Sequence, residues 1–174
     1  MRWDFSPIFG WRTHSVTVKH AIDLTFQLAT PDDFEYLYGL CDTTMRAYVE
    51  ADWGDCFEAI ARPTITTLIT RCSFWIVYAN GVRVGGFAVE QHETHFQLEE
   101  LYLDPANQNR GIGATIVRQL IAESIAHGQP IRLNVLASNR ARVFYERLGF
   151  SIRSATKTVH FMEWRNELVV GEEK

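Results

Sequence analysis

The spacing of apolar residues in the first third of the chain predicts a strand followed by a helix. Apolar and polar residues alternate over residues 23–29, which is typical of a half-buried strand. Thr30 and Pro31 then predict a helix start, because threonine is a good N-cap and proline fits the first turn. Helical spacing predicts that this helix ends near Tyr48, before an interruption over residues 50–55.

The middle of the chain predicts a short helix and a run of strands. A second helical segment begins near Cys56, and we expect Pro63 to break it because proline lacks an N–H donor. Residues 64–70 are rich in β-branched side chains, and the pattern leaves their state open. Asn80-Gly81 predicts the first turn of an antiparallel meander. Its three strands are predicted over residues 74–78, 83–91 and 95–103.

The second half of the chain is organised by a glycine turn between a strand and a long helix. Helical spacing of apolar residues runs from Gly111 to His127, and Gly128 and Pro130 mark its end. A strand, a short helix from Ser138-Asn139 to Gly149-Phe150 and a final hairpin follow. These strands are predicted over residues 131–136, 151–155 and 158–164. This order predicts an α+β class with a mixed α/β sheet, parallel only around the glycine turn.

Length, charge and cysteine content narrow the function classes. The 174 residues predict one domain over residues 23–166, an N-terminal extension over 1–22 and a polar tail over 167–174. A net charge of −4 with scattered basic residues argues against a nucleic-acid partner. Three unpatterned cysteines predict neither a disulfide framework nor a zinc site. The absence of a long apolar run or a leader pattern predicts a cytoplasmic protein without a membrane partner.

The candidate chemistry lies at Gln108-Asn109-Arg110-Gly111-Ile112-Gly113-Ala114. We expect glycine to be needed at positions 111 and 113, because a side chain there would keep an anion away from the N–H groups of the helix N-terminus. Arg110 adds a positive charge. The dinucleotide fingerprint fails because Ile116 stands where the third glycine would fall, and no Lys-Ser or Lys-Thr completes a P-loop. The sequence therefore predicts a phosphate-bearing ligand of another kind.

Several motifs together resemble the GNAT N-acetyltransferase superfamily, from about Phe26 to Arg165. They are Leu101-Tyr102-Leu103-Asp104-Pro105, Gln108-x-x-Gly111-x-Gly113, Leu133-x-Val135, Asn139-x-Ala141 and Phe144-Tyr145-Glu146-Arg147-Leu148-Gly149-Phe150. The resemblance implies a GNAT-like fold, whose central, mostly antiparallel twisted sheet splays at its middle strands and is flanked by helices. It also implies an acyltransferase that moves an acetyl group from acetyl-CoA, as cosubstrate, to a primary amine.

The resemblance also implies residue roles. The glycine turn would bind the pyrophosphate of coenzyme A, residues 101–103 would contact its pantetheine arm, and Tyr145 would be the general acid. A tyrosine hydroxyl suits that role because the departing thiolate has a conjugate acid with a pKa near ~8.5. The implied cofactor contacts are Leu101, Tyr102, Leu103, Gln108, Asn109, Arg110, Gly111, Ile112, Gly113, Ala114, Asn139 and Phe144.

Two adjacent carboxylates are candidates for the general base. An alkylammonium with a pKa near ~10.4 must lose a proton before it attacks. Glu99 and Glu100 lie on the strand before the glycine turn. Strand alternation predicts that only one of them faces the site, with Glu100 sharing a face with Leu98 and Tyr102. The pattern does not choose between them, and deprotonation through waters is an alternative.

The acceptor is expected to bind near the interruption after the first helix. Tyr48, Glu50 and Trp53 resemble a segment of a bacterial GNAT subgroup and would receive a cationic amine through charge and cation–π contact. His160 is a further candidate from the last hairpin. We expect a small-molecule or peptide amine as the substrate and no metal, and the sequence leaves a homodimer open. The alternatives are a non-catalytic acyl-CoA-binding or sensor domain, or an interaction module that docks through residues 1–22.

Overall fold

A computed structural model describes residues 16–18, 22–71 and 73–166 of the chain. The predicted polar tail, Cys72 and most of the predicted N-terminal extension lie outside these residues. Within the extension, Val16–Val18 forms a short edge strand that pairs antiparallel with the first strand of the predicted domain.

One eight-stranded mixed sheet forms the centre of the described chain, in the order β1-β2-β3-β4-β5-β6-β8-β7. Every neighbouring pair is antiparallel except β5 and β6, which run parallel. The α+β class and the parallel pairing beside the glycine turn are therefore confirmed. The strands are β1 Val16–Val18, β2 Ile22–Leu28, β3 Phe74–Ala79, β4 Val82–Gln91, β5 Phe96–Leu103, β6 Ile131–Leu136, β7 Ser151–Ala155 and β8 Val159–Trp164.

Four α-helices cover the two faces of this sheet, and each face has its own apolar core. Side chains of the first two helices pack with Phe74, Ala88 and Tyr102 on one face. Side chains of the last two pack with Phe87 and Leu98 on the other. The helices are α1 Phe34–Trp53, α2 Phe57–Thr70, α3 Ile112–His127 and α4 Ala141–Glu146, and short 3-10 turns lie at Pro31–Asp33 and Pro105–Asn107.

The first two helices are longer than the sequence predicts. Helix α1 continues past Tyr48 to Trp53 and ends at Gly54, whose φ of 82° suits a glycine. Helix α2 runs through Pro63, so the predicted break is wrong. Pro63 has no N–H to donate to the Ala59 carbonyl four residues earlier. Both residues are exposed, so this carbonyl lies on the solvent side of the helix, where water can bond to it.

The turn signals are placed as predicted. Asn80 and Gly81 have φ values of 51° and 79°, which is the geometry of a type I′ hairpin. Gly128 ends α3 in the left-handed conformation with φ 63°, and Gly149 closes the segment after α4 with φ 91°. These positions fix where the strands and helices stop, and so they fix the frame of the site.

Two irregularities in β5 open the sheet at its centre. Ala88 and Val89 are neighbours on β4 but pair with Glu100 and Leu98, so Glu99 is an extra, bulged residue of β5. Strand β5 pairs with β6 only from Phe96 to Leu98, and beyond that point the two parallel strands separate. The splay that the family resemblance implies is therefore present between β5 and β6.

Candidate active site

The glycine turn presents the N-terminus of α3 at the splayed side of β5. Gly111 is the N-cap residue, and its φ of 84° requires a residue that tolerates the left-handed conformation. The N–H groups of residues 112–114 have no carbonyl one turn back within the helix, so they are available to an anion. The guanidinium of exposed Arg110 donates to the Asn107 side chain at 2.9 Å, which holds it beside the turn. The turn can therefore bind a phosphate group.

Gly113 is buried, and the reason for its small size differs from the prediction. A Cβ atom at this position would lie 3.4 Å from the ring of Phe144 and 3.5 Å from the side chain of Leu103. The missing side chain therefore points into the protein and not toward a ligand. Gly113 lets α3 pack closely against α4 and β5, whereas Gly111 supplies the backbone conformation of the turn.

Helix α4 places Asn139 and Tyr145 beside the splay. The Asn139 side chain accepts from the Ala141 N–H at 2.9 Å, just before the predicted short helix begins. Tyr145 is buried and packs edge-on against Phe144 and Phe150, with ring centroids 4.9 and 5.6 Å away. Burial, and then the nearby Glu100 carboxylate, raise the pKa of Tyr145. The phenol is therefore a neutral donor at physiological pH.

A second contact ties α4 to α1. The Ser138 N–H and hydroxyl both donate to the Asp52 carboxylate, at 3.0 and 2.9 Å. The Asn139 amide also lies 3.7 Å from the sulfur of Met45. These contacts hold the end of α1 over the gap between β5 and β6.

A cavity of about 380 Å³ lies in that gap. We call it the splay cavity. Its wall combines one face of α1 and α2 with the bulged part of β5, the end of β6 and the side of α4 that carries Tyr145. The lining residues are Cys41, Met45, Val49, Trp53, Phe57, Ile60, Ala61, Thr64, Leu98, Glu99, Glu100, Leu101, Tyr102, Leu133, Asn134, Val135, Leu136, Asn139, Ala141, Tyr145, Val159 and Phe161.

The bulge brings both candidate bases to this cavity. Glu99 and Glu100 line the same wall, although strand alternation predicted that only one would do so. The predicted common face of Leu98, Glu100 and Tyr102 is wrong for the same reason. Leu98 packs in the core under α3 and Tyr102 in the core under α1 and α2, because the extra residue reverses the alternation between them.

Glu100 has the environment of a proton acceptor near neutral pH. Burial, with a smaller effect of the Glu99 carboxylate, raises the pKa of Glu100 to about 7, while a hydrogen bond from Tyr102 opposes the rise. A carboxyl group with this pKa accepts a proton more readily than an ordinary glutamate does.

Glu99 faces a different set of charges. Burial and then the Glu90 carboxylate raise the pKa of Glu99, whereas His92 and Arg71 oppose the rise. Oxygen or nitrogen atoms of Glu90, His92 and Glu99 all lie within 4.8 Å of one another. This is the group of described residues that could contact a cation, but Glu90 is already paired with Arg71 at 3.4 Å and accepts from Ser73.

Cys41 and the side chain of Tyr102 belong to the site, although the sequence did not predict a role there for either side chain. The Tyr102 hydroxyl lies near Cys41 and Glu100, and burial followed by the Glu100 carboxylate raises the pKa of Tyr102. Burial raises the pKa of the Cys41 thiol to about 12, so the sulfur stays protonated and unreactive. The available signal was helical spacing, because Cys41 stands four residues before Met45 on the face of α1 that meets the sheet.

Of the four predicted acceptor residues, Trp53 lines the splay cavity, with 44% of its surface exposed at the mouth. The wall does not include Tyr48, Glu50 or His160. Tyr48 packs against the core under α1 and α2, and the Glu50 carboxylate pairs with Arg46 at 3.4 Å. His160 has a buried Nδ1 without a hydrogen-bond partner among the described residues, and its strand neighbours Val159 and Phe161 line the cavity instead. The acceptor roles of all four remain predictions.

A family model described as an acetyltransferase (GNAT) domain matches residues 70–152, which include the bulge, the glycine turn and α4. No curated protein matches the chain. Within the described ranges, no helix combines the length and apolar character needed to cross a membrane.

Solved structures share the fold at low sequence identity. The PaiA N-acetyltransferase of Thermoplasma acidophilum, crystallised with coenzyme A, is 18% identical with a TM-score of 0.69, and the match covers 82% of this chain and 99% of that one. A GNAT family acetyltransferase of Listeria monocytogenes is 15% identical with a TM-score of 0.65, covering 86% and 98%. Naa50 of Arabidopsis thaliana, bound to the bisubstrate analogue CoA-Ac-MVNAL, is 16% identical with a TM-score of 0.58, covering 82% and 99%.

Proposed function

We propose that this chain, which belongs to the GNAT superfamily, transfers the acetyl group of acetyl-CoA to a primary amine by direct attack. Acyl transfer is the general chemistry that the matched domain and the structural neighbours support. The observation that carries the proposal is the meeting of Glu100 and Tyr145 on the wall of one cavity, at the point where β5 and β6 separate. That cavity lies beside the glycine turn.

The turn at the start of α3 is assigned to the donor. Backbone N–H groups after Gly111, together with Arg110, suit the two negative phosphates of a pyrophosphate. PaiA and Naa50, which share the fold, were crystallised with coenzyme A and with a coenzyme A conjugate. The gap between β5 and β6 then gives the pantetheine arm a route toward the splay cavity, past main-chain groups of residues 101–103.

Glu100 is assigned the role of general base. An ammonium group is mostly charged at neutral pH, so a base must remove one proton before the nitrogen lone pair can attack the thioester carbonyl. A pKa of about 7 keeps much of Glu100 ionised at physiological pH while making it a better acceptor than a solvated carboxylate. Glu99 lies in the same wall and would help to attract the cationic substrate.

Tyr145 is assigned to the leaving group. Attack forms a C–N bond and a tetrahedral intermediate, and collapse of that intermediate breaks the C–S bond. The thiolate then takes a proton from the Tyr145 hydroxyl, whose raised pKa keeps it protonated. The attacking nitrogen loses its second proton as the amide forms, and a proton from solvent restores the neutral phenol. We assign the oxyanion to backbone N–H groups around the Glu99 bulge, because a bulge leaves ladder groups unpaired.

Steady-state thiol release from acetyl-CoA across a panel of small amines and short peptides tests the proposal. We expect turnover with at least one amine and a fall in kcat of about 100-fold or more in Tyr145→Phe, the usual size of a general acid effect. Tyr78→Phe is the matched control, since this tyrosine lies on β3 outside the cavity wall.

The two halves of the proposal fail separately. Heat stabilisation by acetyl-CoA without release of thiol for any amine would support the non-catalytic acyl-CoA-binding alternative. Turnover that is equal in the wild type and in Tyr145→Phe would refute the role of Tyr145 and leave the transferase activity standing.

A further inference from the structure

We propose that the acceptor is a monoamine whose amino group is attached to an apolar group, an inference that rests on the proposed transferase function. The first observation is the wall that α1 contributes to the splay cavity. Cys41, Met45, Val49 and Trp53 line it at four-residue intervals. At 1.5 Å per residue this is an apolar stripe about 18 Å long, facing the gap between β5 and β6.

Helix α2 extends the apolar wall. Phe57, Ile60 and Ala61 line the cavity, and Thr64 is the one polar side chain that this helix adds. Phe57 is almost completely buried, while Ile60 is half-buried and lies closer to solvent. An acceptor that enters between α1 and α2 therefore meets hydrocarbon and aromatic surface before it meets the strands.

The negative charge of the wall is confined to one place. Among the described residues, Glu99 and Glu100 are the carboxylates that line the cavity, and they are neighbours at the bulge of β5. A substrate ammonium therefore has its charge partner at the β5 end, while the rest of the molecule lies along the apolar stripe.

Three carboxylates near the junction of α1 and α2 are already engaged. Glu50 and Glu58 both pair with Arg46, at 3.4 and 2.8 Å, and Asp52 accepts two hydrogen bonds from Ser138. Asp55, between the two helices, is exposed to solvent and does not line the cavity. A second ammonium on the substrate would have to lose water against apolar side chains without gaining an opposite charge. That desolvation is costly, so the geometry disfavours diamines and polyamines.

A long acyl chain on the donor is the competing occupant of the same apolar surface. The position of the cavity favours the acceptor. The glycine turn and α3 lie on the opposite face of the sheet from α1 and α2, so the donor approaches from that other face. The partly exposed Trp53 marks an entrance between the first two helices that the donor does not need.

The test compares four amines that differ in their number of charges and in their apolar surface, at saturating acetyl-CoA. They are 2-phenylethylamine, 1,4-diaminobutane, spermidine and ethanolamine. We expect kcat/KM for 2-phenylethylamine to exceed that of each of the other three by at least about tenfold. Binding of the same amines to the protein loaded with coenzyme A is measured by calorimetry, because binding reports on the cavity whether or not turnover occurs.

Two variants connect the preference to the apolar wall. Ile60→Glu places a carboxylate on the wall and should shift the preference between 1,4-diaminobutane and 2-phenylethylamine by about tenfold toward the diamine. Ile125→Glu is the matched control, because Ile125 is a 49% exposed residue near the end of α3 and does not line the cavity. It should leave the preference unchanged.

Each outcome decides the inference. Selective binding of 2-phenylethylamine without turnover would support it and would refute the proposed transferase function. Equal or tighter binding and turnover of spermidine would overturn it while supporting transfer. It would also be overturned if hexanoyl-CoA gave a higher kcat/KM than acetyl-CoA and the four amines had equal kcat/KM values. The apolar wall would then bind the acyl chain of the donor.

Discussion

Replacing Glu100 with glutamine should make the protein more stable at alkaline pH than the wild type. In the folded chain this carboxyl group is half-buried in the splay cavity, and its pKa is about 7 instead of the ordinary 4.5. The folded state therefore holds a proton that the unfolded state has already released between these two pH values. The glutamine side chain of Glu100→Gln has nearly the same shape as glutamate, but its neutral amide does not bind or release a proton in this pH range.

The size of the effect follows from the two pKa values. Between pH 4.5 and 7 the folded state binds more protons than the unfolded state, so the free energy of unfolding decreases as pH rises. Each pKa unit corresponds to about 1.4 kcal/mol, and 7 minus 4.5 gives a loss of about 3 kcal/mol that is complete above pH 7. Below pH 4.5 the group is protonated in both states and contributes no such loss.

Urea unfolding at pH 4, 5, 6, 7 and 8 measures this prediction. From pH 4 to pH 8, the free energy of unfolding of the wild type should fall relative to that of Glu100→Gln. We expect this relative change to reach up to about 3 kcal/mol in favour of the variant. Glu93→Gln is the control, since Glu93 is exposed in the loop between β4 and β5. Parallel pH profiles for the wild type and Glu100→Gln would refute the environment assigned to this carboxyl group.

The same carboxyl group should appear in the kinetics. If Glu100 is the base, kcat/KM of the wild type rises with pH and levels off above an apparent pKa near 7. The variant should lack this step, with a deficit that is largest above pH 7 and becomes smaller as Glu100 of the wild type is protonated at lower pH. An unchanged profile in the variant would assign the proton transfer to water or to Glu99.

Three further predictions concern the frame of the site. Gly111→Ala and Gly128→Ala should each lose about 1 kcal/mol of stability, because both glycines have positive φ, but calorimetry should show weaker acetyl-CoA binding only for Gly111→Ala. Gly113→Ala should bind acetyl-CoA nearly normally, whereas the branched side chain of Gly113→Val should collide with Phe144 and cost about 2 kcal/mol in urea unfolding. Burial would raise the pKa of Glu163, but hydrogen bonds from arginines lower it; Glu163→Gln should therefore lose about 2 kcal/mol at pH 7 and much less at pH 3.

Much of the frame was predictable from local signals. Asn80-Gly81, Gly111, Gly128 and Gly149 stand where the backbone needs positive φ, and such positions can be recognised without knowing what packs around them. The alternation and helical spacing of apolar residues likewise gave the order of strands and helices. The glycine turn and the start of α4 after Asn139 were found in this way because each depends on a few consecutive residues.

The errors in helix length and in the role of Gly113 come from packing. Proline normally ends a helix, yet α2 continues through Pro63 because its buried face, which includes Phe57 and Ile65, packs on the core under α1 and α2. The tertiary contacts outweigh the lost hydrogen bond. The space beside Gly113 is filled by Phe144, which is about thirty residues away in sequence, so no local pattern reveals it.

The sequence by itself determined the position of the glycine turn, the order of the elements and the identity of the two candidate carboxylates. Tertiary structure decided which way those carboxylates face. Glu99 is a bulged residue only because β4 pairs with β5 in a register that skips it, and that register depends on residues of both strands. The bulge leaves Glu100 and Tyr102 on one face of β5 and puts Leu98 on the other. The parting of β5 from β6 opens the cavity that Tyr145 also lines. Alternation along one strand cannot predict this, because the reversal arises from pairing between strands.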